Sequence, residues 1–376
     1  MTKWLFSAAC TAAMLWAEPA PLLIFVPGAS GQVPRAAGWE VVSVRATPDD
    51  AGMAAIEGAV QGARRQREID PLRTYIAGES EGAGAVFFAA SRRPDLFAAA
   101  LAFGGDPKAA IDTGQLFGGN TALVPLLWVA STGDRPLLER SRAKLAAAGF
   151  NLEPQPEGLT AEQAFAWLAK HTRDAFPEKV DCETGSPAFA RCYWVDVTKF
   201  DPAQRNDVLP STRVMPGSGA RLDIGAFGFR TDAPGPGLTV EWLPDNYKGP
   251  LKVNDRIVSI AGKEIKDGRA YVEMMDEATQ ERRVGVILQR GKERIRIETR
   301  IVLPDRRTAF TARVQAQFLR DMKEVLVISR GAGEMRITLP DYWTPATLNW
   351  NGNELGKADA AGCWVLAAGA QARRCP

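Results

Sequence analysis

The first half of the chain has a two-beat pattern of apolar positions. Residues 22–26 form an unbroken apolar run that stops at Pro27-Gly28. Such runs suit strands covered on both faces, as in a parallel sheet. Residues 39–44, 73–78, 98–103, 124–130 and 151–156 repeat the signature, giving about six strands. Between and after them, residues 51–67, 81–92, 136–148 and 161–172 carry apolar positions at helical spacing. Thr160-Ala161-Glu162-Gln163 reads as a capping box that opens the last of these helices. Strands alternating with helices predict right-handed crossovers and an open, mostly parallel sheet with helices on both faces.

The second half changes rhythm. Residues 193–197, 238–242, 284–290 and 295–301 read as strands, and residues 269–278 as a helix. Further strands are expected at 308–319, 324–329, 335–339, 346–350 and 363–366, with Asn351-Gly352 as a hairpin turn. The expected organisation is a β domain assembled from residues 181–215 and 304–376, with a separate module at 216–303 inserted between them. Trp343, Trp350 and Trp364 suit either a glycan-binding surface or a core, and core packing is the commoner use of tryptophan.

Composition narrows the classes. A chain of 376 residues is too long for one core. Its net charge of +2, without a basic run, gives no pull on nucleic acid, which is excluded as a partner. Residues 1–17 read as a secretory signal: Lys3, an apolar stretch over 4–16, and the small Ala17 before Glu18-Pro19. The apolar stretch falls short of the roughly 20 residues that a membrane span needs. The alternatives are a short anchor, or a lipoprotein modified at Cys10, whose Ser7-Ala8-Ala9 lacks the usual leucine. After cleavage the chain is expected not to be an integral membrane protein and to be secreted or periplasmic. Four cysteines then remain: Cys182, Cys192, Cys363 and Cys375. Pairing Cys182 with Cys192 and Cys363 with Cys375 is the simplest connectivity in an oxidising compartment. Zinc is the rival, opposed by the lack of a C-x-x-C motif and of a nearby histidine.

Gly78-Glu79-Ser80-Glu81-Gly82 falls between a strand and a helix, in the pattern G-x-S-x-G. That turn exposes a serine hydroxyl at the end of a sheet. With residues 68–73 and 91–99 it resembles the extracytoplasmic esterases and depolymerases of the α/β-hydrolase superfamily, over residues 20–180. The resemblance implies hydrolysis of an ester or peptide substrate without metal or cofactor. It implies Ser80 as nucleophile, with the N–H groups of Ala29 and Glu81 as oxyanion donors. Asp134 stands at the position of the acid, where it would also serve as a helix N-cap before Pro136.

The histidine position departs from that pattern. Directly after the last strand stands Glu157-Gly158-Leu159-Thr160, and the chain's one histidine, His171, comes eleven residues later. Along a helix this is a displacement of roughly 16 Å. A base must come within about 3 Å of its nucleophile. Glu79, Glu81 and Glu157 are nearer, but a carboxylate is a weak base for serine unless burial raises its pKa. Two expectations follow: a binding or scaffold protein with an incomplete triad, or an active serine esterase or peptidase using Ser80, Asp134 and His171.

Gly225-Ala226-Phe227-Gly228-Phe229, followed by Leu251-Lys252-Val253-Asn254-Asp255-Arg256-Ile257 and the Ala261-Gly262 turn, resembles a PDZ domain. Asn254 stands where that family usually has glycine. The resemblance implies β-augmentation, with protein C-termini or extended peptides as partners. Their carboxylate would sit on backbone N–H groups of Ala226, Phe227, Gly228 and Phe229. In the alternative, Phe227 and Phe229 are core residues and the protein fills its own groove. The expected fold class is α/β plus β: a small α/β-hydrolase-like sheet, a PDZ-like domain and a small disulfide-bonded β domain.

Overall fold

A computed structural model describes residues 18–29, 31–129, 135–155, 158–231, 233–304 and 309–376. The expected signal segment, Asp134 and Glu157 lie outside the described residues. The chain divides into two compact units, one running to Val214 and resuming at Phe310, the other Met215–Ala309. Among the described residues no helix is long and apolar enough to cross a membrane.

The first unit begins with alternating strands and helices. These are β1 (Ala20–Val26), β2 (Glu40–Ser43), α1 (Asp50–Gln66), β3 (Ile69–Glu79), α2 (Gly82–Arg92), β4 (Ala99–Phe103), α3 (Lys108–Asp112), β5 (Leu126–Val129), α4 (Arg135–Ala147), β6 (Leu152–Gln155) and α5 (Ala161–Leu168). The strands pair in the order β2-β1-β3-β4-β5-β6, every neighbour parallel. Successive side chains leave a strand on opposite faces. Leu22, Ile24 and Val26 of β1 therefore join a core with Met53, Ile56 and Val60 of α1 and Val86 and Phe87 of α2. Leu23 and Phe25 join the opposite core, under Ala164, Phe165 and Leu168 of α5. Helices on both faces explain why β1 is apolar throughout.

The α5 helix ends sooner than its sequence predicts. Its capping box forms as expected. At the other end Lys170 N–H turns back to Trp167 O and His171 N–H to Leu168 O, tight bonds that close the helix. His171 therefore follows the helix instead of lying within its last turn.

Two further sheets complete the first unit. One has the order Asn353–Ala358, Ala346–Trp350, Glu324–Arg330, Ala312–Leu319, Lys179–Thr184. The other has the order Arg373–Arg374, Gly362–Ala367, Ala332–Leu339, Val195–Phe200, Arg191–Cys192. One apolar cluster draws on both sheets and includes Trp343, Trp350 and Trp364, each buried, so these tryptophans form core and no glycan surface. Trp343 stacks on Phe318 with centroids 4.7 Å apart. The Cys182–Cys192 disulfide joins the two sheets, and Cys363–Cys375 closes the C-terminal hairpin. Tyr193 and Trp194, expected in a strand, instead form the turn between Arg191–Cys192 and Val195–Phe200, with Tyr193 at φ 55°. Their aromatic character comes from packing, not from strand geometry. Asn351 and Gly352 form the hairpin turn with φ of 50° and 82°.

The polar joint between the parallel sheet with its helices and these two sheets is built on Asn120 and Glu183. Asn120 Nδ2 donates to Ser91 O (2.6 Å) and Glu183 O (2.9 Å), and its Oδ1 accepts from Glu183 N–H (2.6 Å). The Glu183 carboxylate is buried and accepts from Ser211, Thr212, Thr311 and Arg330.

The second unit is a mainly antiparallel sheet in the order Arg221–Leu222, Glu293–Val302, Arg282–Arg290, Arg256–Ile260, Leu238–Thr239, with one helix, Gly268–Asp276. Asn254 takes a left-handed φ of 72°, a conformation open to glycine and to asparagine. Buried Asp255 accepts from Arg290 Nε (2.8 Å) and Nη2 (2.7 Å) and from Lys252 N–H (2.7 Å). Burial opposes its ionisation, but these donors outweigh it and hold the carboxyl below the usual carboxylate range.

Candidate functional site

Ser80 occupies the turn between β3 and α2 with φ 51°, a left-handed conformation that a non-glycine residue rarely takes. Its N–H donates to Phe103 O at 2.8 Å, and its carbonyl accepts from Ala83 N–H at 3.1 Å. The turn is thereby pinned to the end of β4 and to the first turn of α2. Crowding around it requires glycine on several sides. A Cβ on Gly78 would lie 2.6 Å from Gly82 O, and one on Gly82 would lie 2.3 Å from Val26 O. Two glycines outside the motif do the same. A Cβ on Gly28 would fall 2.8 Å from Glu79 O and 3.2 Å from Ser80 Oγ. One on Gly105 would fall 2.1 Å from Ser80 O. Gly105 lies two residues past the end of β4.

Two clefts flank the serine turn. Gly28, Ala29, Glu81 and Gly82 line one of about 650 Å³, together with Arg45. The loop after β1 and the start of α2 therefore meet beside Ser80, and Ala29 and Glu81 share one cleft. No backbone carbonyl among the described residues accepts the N–H of Ala29 or of Glu81. The other cleft, about 490 Å³, is lined by Glu79 and by the apolar side chains Phe25, Leu101, Phe165 and Leu168.

His171 is not part of this arrangement. Its carbonyl accepts from the buried Tyr75 hydroxyl at 2.8 Å, and Arg173 N–H donates to Leu72 O at 2.9 Å. The first contact is at the middle of β3 and the second toward its start, whereas Ser80 follows its end. Five to eight strand residues separate them, a rise of about 16 to 26 Å. The His171 ring lies against Trp167 with centroids 4.5 Å apart, and its Nε2 is buried without a partner. Burial pushes the imidazole below its usual pKa, while the nearby Glu153 carboxylate opposes the shift. Burial also drives the Tyr75 phenol up to about 12, so it stays a donor.

In the second unit, residues 225–229 pair only through Gly228, whose N–H donates to Trp242 O at 2.8 Å. That donor is committed, which corrects its expected part in holding a carboxylate. The N–H groups of Ala226, Phe227 and Phe229 have no acceptor among the described residues. Phe227 and Phe229 lie against Tyr271 of the helix Gly268–Asp276, with centroids 6.0 and 5.3 Å away. The helix-facing side of that segment is therefore occupied by its own aromatic rings.

No family model matches the chain, and no curated protein matches it. Among solved structures, a thermostable esterase aligns with 41% of this chain and 56% of its own length, at 18% identity and a TM-score of 0.28. An esterase of the bacterial hormone-sensitive lipase family aligns with 41% of this chain and 76% of its own, at 17% identity and a TM-score of 0.32. The chain thus spans little more than half the length of the thermostable esterase. Neither alignment carries the fold assignment, which rests on the all-parallel strand order and the helices packed on both of its faces.

Proposed function

We propose that this is an exported protein of α/β-hydrolase fold whose ester-cleaving machinery is incomplete, and that it works by binding. The observation that carries the reading is the tether of His171 to Tyr75, at the middle of β3 and five residues before Ser80. A serine hydroxyl without a base within hydrogen-bond reach is a weak nucleophile at neutral pH. In this reading the turn at Ser80 keeps its shape as a polar pocket, with Ala29 and Glu81 N–H groups free to hold a carbonyl or carboxylate oxygen. Two disulfides fit an oxidising compartment, which supports export. The test is hydrolysis of a short-chain nitrophenyl ester by the wild-type protein, Ser80→Ala and His171→Asn. Equal rates in all three at the buffer background support the reading. A wild-type rate above background that falls at least about a hundredfold in Ser80→Ala, with or without a fall in His171→Asn, defeats it.

A second reading, an active serine esterase or peptidase, draws on the glycine-packed turn around Ser80. It requires a base other than His171, with Asp134 as the orienting acid. In both readings residues 216–303 are a PDZ-like module that binds C-termini at Ala226, Phe227 and Phe229. The module predicts that amidating a peptide's terminal carboxylate weakens binding. Phe227 and Phe229 must move off Tyr271 for a side chain to enter, which predicts weak affinity for short peptides.

A further inference from the structure

The N-terminal edge of the parallel sheet, remote from Ser80, carries a second polar cleft of about 380 Å³. Its walls come from the later part of α1, the segment after α2, residues 173–176, and the turn at Tyr193. Four guanidiniums line it, from Arg64, Arg93, Arg173 and Arg191, against the two carboxylates of Glu57 and Asp95. Arg93 is fully engaged: it bonds Glu57, and it donates to Asp95 at 2.9 and 3.1 Å. Arg191 is exposed and reaches Asp95 at 3.9 Å.

Arg64 and Arg173 have no such partner. Arg64 donates only to Thr74 Oγ1 at 3.3 Å, and Arg173 only to the carbonyl of Pro71 at 3.4 Å. Neither meets a carboxylate within 4.0 Å among the described residues. Burial lowers the pKa of both; the charge of Arg173 depresses Arg64 further, and the Asp95 and Asp174 carboxylates, beyond ion-pair distance, offset part of the shift on Arg173. The second observation is independent of charge. The Tyr193 side chain is 7% exposed, and its hydroxyl is buried with no hydrogen-bond partner. Arg173 Nε is likewise buried and unpartnered. Folding has placed the exposed Arg64, the half-buried Arg173 and two unused donors around one cavity. Unsatisfied buried donors cost stability unless a ligand or water takes them.

We propose that this cleft binds a phosphate monoester, with its phosphoryl oxygens held by Arg64, Arg173 and the Tyr193 hydroxyl and its organic part against Leu96 and Phe176. The lining carries a net charge of two positive units, which matches a dianion. Planar guanidiniums suit phosphoryl oxygens through paired N–H donors. A carboxylate has one charge and two oxygens, and would leave part of the donor set unused.

The test is calorimetry of the full chain with phenyl phosphate, inorganic phosphate and benzoate at fixed ionic strength. Phenyl phosphate should bind at least about tenfold tighter than benzoate, and tighter than inorganic phosphate. Tyr193→Phe and Arg173→Met should each weaken it by about tenfold or more. Phenyl phosphate binding no tighter than benzoate, or unchanged in Arg173→Met, would overturn the assignment. A footprint on the wild-type protein avoids any folding defect in the variants. Phenyl phosphate should protect Arg64 and Arg173 from phenylglyoxal, read by peptide mass, and equal modification with and without it would also overturn the site.

Discussion

The Tyr75 hydroxyl donates to the carbonyl oxygen of His171 at 2.8 Å, on the strand that leads into the turn at Ser80. One strand therefore presents the candidate nucleophile after its end and anchors the backbone of the chain's single histidine at its middle. The separation is a property of the topology. α5 must run back across the sheet to cover Leu23, Phe25 and Tyr75, and it delivers whatever follows it to the opposite edge.

The first prediction uses that histidine as its own reporter. A pH titration of the imidazole followed by NMR has one residue to resolve. Burial disfavours the imidazolium, so the midpoint should fall below the reference of about 6.5. The unfolded chain then binds the proton more readily than the folded one. This contribution to stability is full above about pH 6.5 and declines as pH falls toward the folded-state midpoint. A triad histidine beside an ionised aspartate would titrate above the reference, and that result would contradict the placement.

The two glycines Gly82 and Gly84 stand on the same helix and should respond in opposite directions to alanine. A Cβ on Gly82 would meet Val26 O at 2.3 Å, but one on Gly84 meets nothing nearer than 3.8 Å. Gly82→Ala should lose about 1–3 kcal/mol through overpacking. Gly84→Ala should gain up to about 1 kcal/mol in helix propensity. Urea melts of the two variants decide the matter, and equal effects would mean that the turn at Ser80 is not tightly packed.

Asn120 should matter more than a loop asparagine ordinarily does. Asn120→Ala leaves the carbonyls of Ser91 and Glu183 and the N–H of Glu183 without their partner. A loss of about 3 kcal/mol is expected. Hydrogen exchange should show faster opening at Glu183 and its neighbours in Lys179–Thr184. A variant as stable as the wild type would show that water replaces the amide.

Much of the parallel sheet was legible because burial on both faces writes each strand as an apolar run, as at residues 22–26. The turn was legible because Gly78 is required by contact with Gly82, four residues on, and Gly82 by contact with Val26 on the adjoining strand. Gly28 and Gly105 crowd the same serine, yet nothing local distinguishes them from loop glycines, since their partners are distant in sequence. The Tyr193-Trp194 turn was misread for a similar reason. Aromatic residues that favour strands here pack a core from a hairpin corner. The arginine cleft was invisible: Arg64, Arg173 and Tyr193 meet only through the fold. The end of α5 was placed four residues late because Lys170 and His171 do not break helical periodicity, and only the bonds to Trp167 and Leu168 show the closure.

The most direct measurement is intact mass after exposure to a fluorophosphonate, on the wild-type chain and on Ser80→Ala. Without an imidazole beside it, Ser80 should remain unmodified under conditions that label an active serine hydrolase to completion. One adduct per chain, mapped to Ser80 and absent from Ser80→Ala, would show an activated nucleophile and contradict the account.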